Sequence, residues 1–256
     1  DFQDSADLGN DAAGSNNLTS GGLAATDQCT DTPDNNFATL NPLLTSSYAT
    51  LTEGNTTSTA SSTNNANSAS TICPQNGKWY VEAKARVVEG NHYPRLGMYS
   101  LNNTTVFGRL LNGSAGMSGY GGTDEFTLYS NGTLYVNQVT TSSWASAQTN
   151  GDIIQIAVDC DNGAAYMGIN NTWQNSGDPT SGASKTGAAV TWTPADSDGI
   201  AISSSDYNGS FMDYNFGNPS YANSSDAADG NNYGRFEYAP PSLYFALCTK
   251  NLAEFG

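Results

Sequence analysis

Two aspartates in the stretch "DCDNG", residues 159–163, are the first residues whose types and spacing could do chemistry. Asp159 and Asp161 could act as calcium ligands or as an acid/base pair. An EF-hand calcium loop needs the longer pattern D-x-[DN]-x-[DN]-G, so this stretch is too short to supply those ligands. A glycosidase needs two carboxylates roughly 5–9 Å apart across a cleft, and the sequence singles out no such pair. We therefore interpret Asp161, Asn162 and Gly163 as a structural turn.

Nucleophilic catalysis would depend on His92, because it is the single histidine of the chain. It lies in the turn-rich segment "EGNHYPRLG", and no G-x-S-x-G elbow accompanies it. A multi-histidine metal site is excluded by the same count. The sequence therefore predicts no catalytic residue, no metal site and no cofactor.

The cysteines also argue against a metal site. They are Cys29, Cys73, Cys160 and Cys248. None has CxxC spacing, so zinc is disfavoured, and the four residues allow three pairings that the sequence leaves open, Cys29 with Cys248 among them. Cys160 shares the parity of Ile154, Ile156 and Val158 in an apolar strand, which predicts a small buried hydrophobic residue.

Composition narrows the classes of partner. The 256 residues carry a formal net charge of −16, from 8 basic and 24 acidic residues. Phosphate binding needs a Lys/Arg surface, so nucleic acid is excluded as a partner, and an anionic membrane surface is disfavoured. No apolar run approaches the ~20 residues of a membrane span, so membrane insertion is not expected. The excess of acidic residues favours solubility.

Alternating apolar and polar residues predict strands. In "GKWYVEAKARVVEG" the apolar residues Trp79, Val81 and Ala83 alternate with Tyr80 and Glu82. This alternation indicates a half-buried strand with one face exposed to solvent. Further strands are predicted in "RLGMYSL", in the hairpins "EFTLYSNGTLYVNQV" and "GDIIQIAVDCDNGAAYMGINN", in "DGIAISSSDYNGSFMDYNFG", and in "SLYFALCTKNL". A two-residue Asn-Gly hairpin loop favours positive φ at both residues. Short strands separated by turns predict an all-β fold, an antiparallel β-sandwich.

The chain divides in two by composition. Residues 1–75 are turn-rich and predict an extended arm or linker whose short strands pack on the core. Within it, residues 52–71 are of low complexity and are typical either of a flexible linker or of Thr-rich edge strands. Residues 76–256 are predicted to form the sandwich itself.

Several segments resemble a known family. "GKWYVEAKA", "GDIIQIAVDCDNGAAYMGINNTWQNSG" and "GIAISSSDYNGSFMDYNFG" resemble, in this order, the SPRY domain, which has a concanavalin A-like sandwich fold. The closing segment "FEYAPPSLYFALCTKNL" and the lead-in "LAATDQCTDTPDNNFATLNPL" resemble SPRY-containing proteins of marine bacteriophages. The start, "DFQDSADLGNDAAGSNN", resembles the tail of a laminin-G-like lectin domain. The resemblance implies the C-terminal part of a larger virion protein.

A recognition surface is the function that this resemblance implies, because SPRY domains generally bind partners through loops and are not enzymes. Aromatic residues in or beside loops are the candidate ligand-binding residues: Tyr93, Tyr99, Tyr120, Trp173 and Tyr207. We expect residues 90–122 and Trp173 to rim one surface.

We therefore expect a non-catalytic virion component, structural or adhesive, such as a tail fibre or appendage at the particle surface. It would assemble with other virion subunits, as a homo-oligomer, and would bind a host-surface glycan or protein receptor. A purely structural decoration or fibre protein is the alternative, and a polysaccharide-degrading enzyme is disfavoured.

Overall fold

The computed structural model describes residues 6–11, 13–22, 31–61, 63–86, 93–102, 111, 125–136 and 139–256. Contacts divide the chain into two compact units, Asp1–Pro33 and Asp34–Gly256. In the first unit the described residues form turns, tied by the Asp11 carboxylate, which accepts hydrogen bonds from the backbone N–H groups of Ala13 and Asn16. The second unit contains both large sheets.

The strands of the second unit are short and are numbered here in chain order. The first nine are β1 (Leu40–Thr45), β2 (Ala49–Thr52), β3 (Thr57–Ala60), β4 (Asn65–Ser70), β5 (Lys78–Arg86), β6 (Arg95–Ser100), β7 (Phe126–Tyr129), β8 (Leu134–Val136) and β9 (Val139–Thr141). The others are β10 (Ile153–Asp159), β11 (Ala164–Ile169), β12 (Thr172–Trp173), β13 (Val190–Thr191), β14 (Ile200–Tyr207), β15 (Phe211–Asn215), β16 (Ala227–Ala228), β17 (Arg235–Phe236) and β18 (Phe245–Ala246). Among the described residues, 3₁₀ turns span Gln174–Ser176, Pro179–Ser184 and Pro194–Asp196, and a C-terminal helix spans Thr249–Phe255.

Two sheets, antiparallel except for β18, make up the sandwich. Within the described residues, the seven-stranded sheet has the order β1-β4-β14-β6-β7-β8-β9. The nine-stranded sheet has the order β12-β11-β10-β5-β15-β3-β2, with β13 beside β11 and β18 parallel to β5. A small sheet pairs β16 with β17. The predicted all-β antiparallel sandwich is confirmed.

The core lies between the inner faces of the two sheets. It contains Trp79 of β5, Ile156 of β10, Met98 of β6 and Ile202 of β14, each at most 2% exposed. Cys160 belongs to the same cluster and is buried, as its parity predicted. Burial of apolar side chains at alternate positions is what holds the two sheets together.

The prediction that one face of β5 is exposed to solvent is wrong. Tyr80 and Glu82 are both 0% exposed, because the outer face of the nine-stranded sheet is covered by the segment 229–247. The Phe236 ring packs edge-on against Tyr80, with 4.9 Å between the ring centroids. The cover is far away along the chain, so alternation within β5 could not reveal it.

The low-complexity residues form strands inside the sheets. β4 lies between β1 and β14, and β3 lies between β15 and β2. Thr52 ends the edge strand β2, whereas β3 and β4 are interior strands, so the described residues of this range are not a flexible linker. Their small polar side chains are paired across strands, as in the 2.8 Å hydrogen bond from Ser205 Oγ to Asn67 Oδ1. Such pairing removes the cost of burying them.

The Asn-Gly turns differ from one another. Asn208 and Gly209 both have positive φ, 58° and 76°, as expected of a two-residue turn. This turn joins β14 of one sheet to β15 of the other rather than closing a hairpin. At Asn131–Gly132 and Asn162–Gly163, positive φ is confined to the glycine. The expectation of two positive φ values is therefore wrong for those two turns.

The last predicted strand, "SLYFALCTKNL", is only the two residues of β18, followed by the C-terminal helix. Cys73, Cys160 and Cys248 are free thiols, so Cys248 forms no bridge, and Cys29 lies outside the described residues. In the described part of the chain, every helix is too short or too polar to cross a bilayer.

Candidate functional site

Two of the predicted ligand-binding residues lie side by side. Tyr93 and Tyr207 form an isolated antiparallel bridge at the start of β6 and the end of β14, with 6.2 Å between their ring centroids. Both side chains are half-buried. They belong to a larger group that the sequence analysis did not single out.

Arg95 lies at the centre of that group. Its guanidinium carbon is 4.1 Å from the ring centroid of Tyr129, 5.4 Å from that of Tyr207 and 5.8 Å from that of Tyr93. Tyr135 stacks on Tyr129 with 4.3 Å between centroids. We call Tyr93, Arg95, Tyr129, Tyr135 and Tyr207 the tyrosine–arginine cluster.

Strand alternation places the cluster on the outer face of the seven-stranded sheet. In β6, Leu96 and Met98 enter the core, so Arg95 points the other way. The same reasoning applies to Tyr129, next to the core residue Leu128, and to Tyr135, next to Leu134. Cross-strand pairing of Arg95 with Tyr129 then brings the two side chains together.

Arg95 is a desolvated cation. It is 7% exposed, and its one side-chain hydrogen bond within the described residues runs from Nη1 to Asn65 Oδ1, at 2.7 Å. Nε is buried without a hydrogen-bond partner. Burial lowers the pKa of the guanidinium, opposed by the negative charges that Tyr129 and Asp206 carry when ionised. The tyrosine rings supply cation–π attraction instead of an ion pair.

Asp206 lies behind the cluster, on the face of β14 turned towards the other sheet. Oδ1 accepts the backbone N–H of Arg95 at 3.3 Å, and Oδ2 accepts the Ser204 hydroxyl at 2.8 Å. Ser204 in turn contacts Ser58 of the opposite sheet at 3.1 Å. The side chain is fully buried, and burial raises the pKa of Asp206 to about 7, against the lowering effect of its hydrogen bonds.

The other predicted ligand-binding residues lie elsewhere. Tyr99 is 1% exposed and packs with Ala69 and Ala201, so its side chain is buried in the interior. Trp173 lies on β12 of the nine-stranded sheet, half-buried against the cluster that covers that sheet. Tyr120 lies outside the described residues. The structure therefore brings together Tyr93 and Tyr207, and places Trp173 on the other sheet.

The residues assigned to a turn hold the hairpin between β10 and β11. Asp161 Oδ1 accepts the backbone N–H of Gly77 at 2.7 Å. Asn162 donates from its backbone N–H and from Nδ2 to the Asp159 carboxylate, at 2.9 and 2.8 Å. Gly163 has φ of 70°, and its N–H donates to the Asp159 carbonyl at 2.8 Å. Asp159 is itself paired with Lys78 at 2.8 Å, so its carboxylate is used structurally.

Among the described residues, no three His, Cys, Asp or Glu side chains are grouped to hold a metal ion. A small cavity between the sheets has an apolar lining, formed by Pro74, Trp79, Val81, Val158, Ile200, Ile202 and Leu247. His92 lies outside the described residues. The tyrosine–arginine cluster can take part in stacking, cation–π contacts and hydrogen bonds.

Sequence reasoning missed Arg95, Tyr129 and Tyr135. The signal was present, because each alternates with core residues of its strand and must therefore point outwards. What the sequence did not show was which strands are neighbours. Only the order β14-β6-β7-β8 brings these side chains into contact with Tyr207.

Comparison with solved structures identifies the fold. The SPRY domain of human HERC1 is similar over 68% of this chain and 96% of that domain, with a TM-score of 0.50 and 14% sequence identity. Stonustoxin is similar over 70% of this chain but 27% of its own, with a TM-score of 0.45 and 13% identity. No family model and no curated protein matches the sequence. The chain thus has the SPRY-type, concanavalin A-like sandwich, and at this identity the similarity concerns the fold alone.

Proposed function

We propose that this chain is a non-catalytic recognition module that binds a protein partner through the tyrosine–arginine cluster. The observation that carries the proposal is the convergence of three half-buried tyrosines on one buried arginine, with a fourth tyrosine stacked on one of the three, on the outer face of a sheet. Tyrosine and arginine are among the residue types enriched at binding hot spots. Tyrosine combines a large contact area with few rotatable bonds. A rigid sheet holds them in place before binding, which lowers the entropy lost on association.

The ring geometry favours a protein over a stacked sugar. The guanidinium of Arg95 lies over the rings of Tyr93, Tyr129 and Tyr207, and Tyr135 stacks on Tyr129. A sugar that stacks needs an open ring face, and these contacts occupy ring faces. Fewer ring faces are therefore open for stacking, and the tyrosine hydroxyl groups suit hydrogen bonds with the backbone and side chains of a protein.

The sequence resemblance supports a location for this module, the surface of a bacteriophage virion. There the partner would be a neighbouring virion subunit or a protein receptor of the host, and many copies on one particle would raise the avidity of weak single contacts. Immunogold labelling of purified particles with an antibody against this chain tests the location. Labelling at the particle surface supports it, and particles that lack the chain contradict it.

Selection from a random peptide display library against the immobilised chain tests the recognition module. We expect enriched peptides that bind the unaltered chain and fail to bind a Tyr93→Ala/Tyr207→Ala double variant. Trp173→Ala, on the other sheet, is the matched control and should keep binding. A library that yields no enriched peptide, or peptides that bind the double variant equally well, would argue for a purely structural protein. A glycan array run in parallel would contradict the choice of a protein partner if it alone gave binding lost in the double variant.

A further inference from the structure

We propose that the tyrosine–arginine cluster recognises a carboxylate, an Asp or Glu side chain of the protein partner, which pairs with the guanidinium of Arg95. This inference deepens the proposed function and rests on it. It is carried by an incomplete set of bonds around a buried cation.

The charge of Arg95 lacks a counter-ion in the described part of the chain. Four other cations form ion pairs with aspartates there: Lys78, Arg86, Arg235 and Lys250. Arg95 is more deeply buried than any of these side chains, yet it makes no such ion pair. A buried charge without a partner is costly, and an arriving carboxylate removes that cost.

Asp206 is close to Arg95 but does not serve as this counter-ion. Its Oδ1 accepts the backbone N–H of Arg95 and its Oδ2 accepts Ser204, on the side of β14 that faces the nine-stranded sheet. The guanidinium lies on the opposite side, among the rings. One nitrogen, Nη1, donates a hydrogen bond to Asn65 Oδ1, and Nε is buried without an acceptor. The guanidinium is therefore held in a fixed orientation while a donor remains unsatisfied.

The surrounding rings would strengthen a bond to a carboxylate. Tyr93, Tyr129 and Tyr207 shield most of the guanidinium and leave Arg95 7% exposed, and a charged hydrogen bond is stronger where little water is present.

The test is an NMR titration that follows the arginine Nε–Hε signals of the ¹⁵N-labelled chain, with the Arg95 signal assigned by its loss in Arg95→Lys. Three probes are added separately. They are a capped peptide with the core Asp-Glu-Asp between Gly-Ser flanks, the same peptide with the core Asn-Gln-Asn, and the acidic trisaccharide tri-galacturonate. The unaltered chain decides the outcome, so no variant needs to fold for the proposal to be tested.

We expect a saturable shift of the Arg95 signal with the acidic peptide and no shift with the amide peptide. Arg95→Gln should lower the affinity for the acidic peptide at least about tenfold, because a charged hydrogen bond is lost. Lys84→Gln is the matched control, since Lys84 lies over Tyr221 and should leave the affinity unchanged. Equal shifts with both peptides, unchanged affinity in a folded Arg95→Gln, or binding of the trisaccharide alone would each overturn the proposal.

The two proposals fail in different ways. If displayed peptides depend on Tyr93 and Tyr207 but carry no acidic residue, the recognition module stands and the carboxylate is wrong. If no peptide of any kind depends on these tyrosines, the recognition module itself is wrong.

Discussion

The carboxylate of Glu82, in the middle of β5, accepts the backbone N–H of Tyr238 at 2.8 Å. The same group accepts the backbone N–H of Glu237 at 2.8 Å, the hydroxyl of Tyr80 at 2.9 Å and Asn215 Nδ2 at 3.3 Å. Four donors therefore converge on one buried carboxylate. Two of them, the N–H groups of Glu237 and Tyr238, attach the C-terminal segment to the outer face of the nine-stranded sheet.

Glu82→Gln should destabilise the fold by about 2–4 kcal/mol, because an amide offers one oxygen and would turn its NH₂ group towards two of these four donors. The measurement is the free energy of unfolding in urea. Glu53→Gln is the matched control, since Glu53 is exposed, and it should change stability by less than about 0.5 kcal/mol. Equal stability of the two variants would show that the carboxylate does not hold the segment.

Asp206 should make stability depend on pH. Its pKa is raised to about 7 in the folded chain, so between pH 3.8 and 7 the folded chain holds a proton that the unfolded chain releases. Stability therefore falls as pH rises through this window. Asn in place of Asp206 cannot ionise, and it can still accept from the Arg95 N–H and donate to Ser204.

We expect the free energy of unfolding of Asp206→Asn, relative to the unaltered chain, to improve by roughly 2–3 kcal/mol between pH 5 and pH 8. Asp196→Asn, at an exposed position, is the control for changes in net charge and should show no such improvement. The measurement is urea unfolding at both pH values. A difference that is the same at pH 5 and pH 8 would contradict the raised pKa.

Gly163 should not tolerate a side chain. Its φ is +70°, and an added Cβ would lie 2.2 Å from the Trp192 carbonyl oxygen. Gly54 has a similar φ of +62° with open space around it, so Gly54→Ala tests the backbone strain alone, about 1–2 kcal/mol. Gly163→Ala should cost more than this, because the backbone at Trp192, which follows β13, must also move. Thermal unfolding that ranks the two variants equally would show that the close approach has no energetic role.

Part of this fold could be predicted from the sequence. The alternation of Ile154, Ile156 and Val158 predicts a strand, and the turn at Asp161–Gly163 predicts its reversal into β11. Both signals are local, because strand period and turn chemistry act over a few residues. These local signals predict only a hairpin, whereas the resemblance of "GDIIQIAVDCDNGAAYMGINN" to the SPRY pattern predicts the whole fold.

The rest depends on pairing between distant segments. Glu82 is buried by residues about 150 positions later, which no pattern within β5 reveals. The polar residues of β4 read as a linker because their partners, such as Ser205, lie far along the chain. The ring contacts of Arg95 can be predicted only once β6 is known to lie between β14 and β7. Side-chain direction follows from local alternation, whereas neighbours follow from topology.

The most direct measurement is a calorimetric titration of a display-selected peptide into the unaltered chain, the Tyr93→Ala/Tyr207→Ala variant and Trp173→Ala. We expect the double variant to lose at least about tenfold in affinity, as removal of two hot-spot tyrosines should. We expect the affinity of Trp173→Ala to stay within about twofold, because Trp173 belongs to the other sheet. A double variant that remains folded and binds as tightly as the unaltered chain would contradict the assignment of the tyrosine–arginine cluster as the recognition surface.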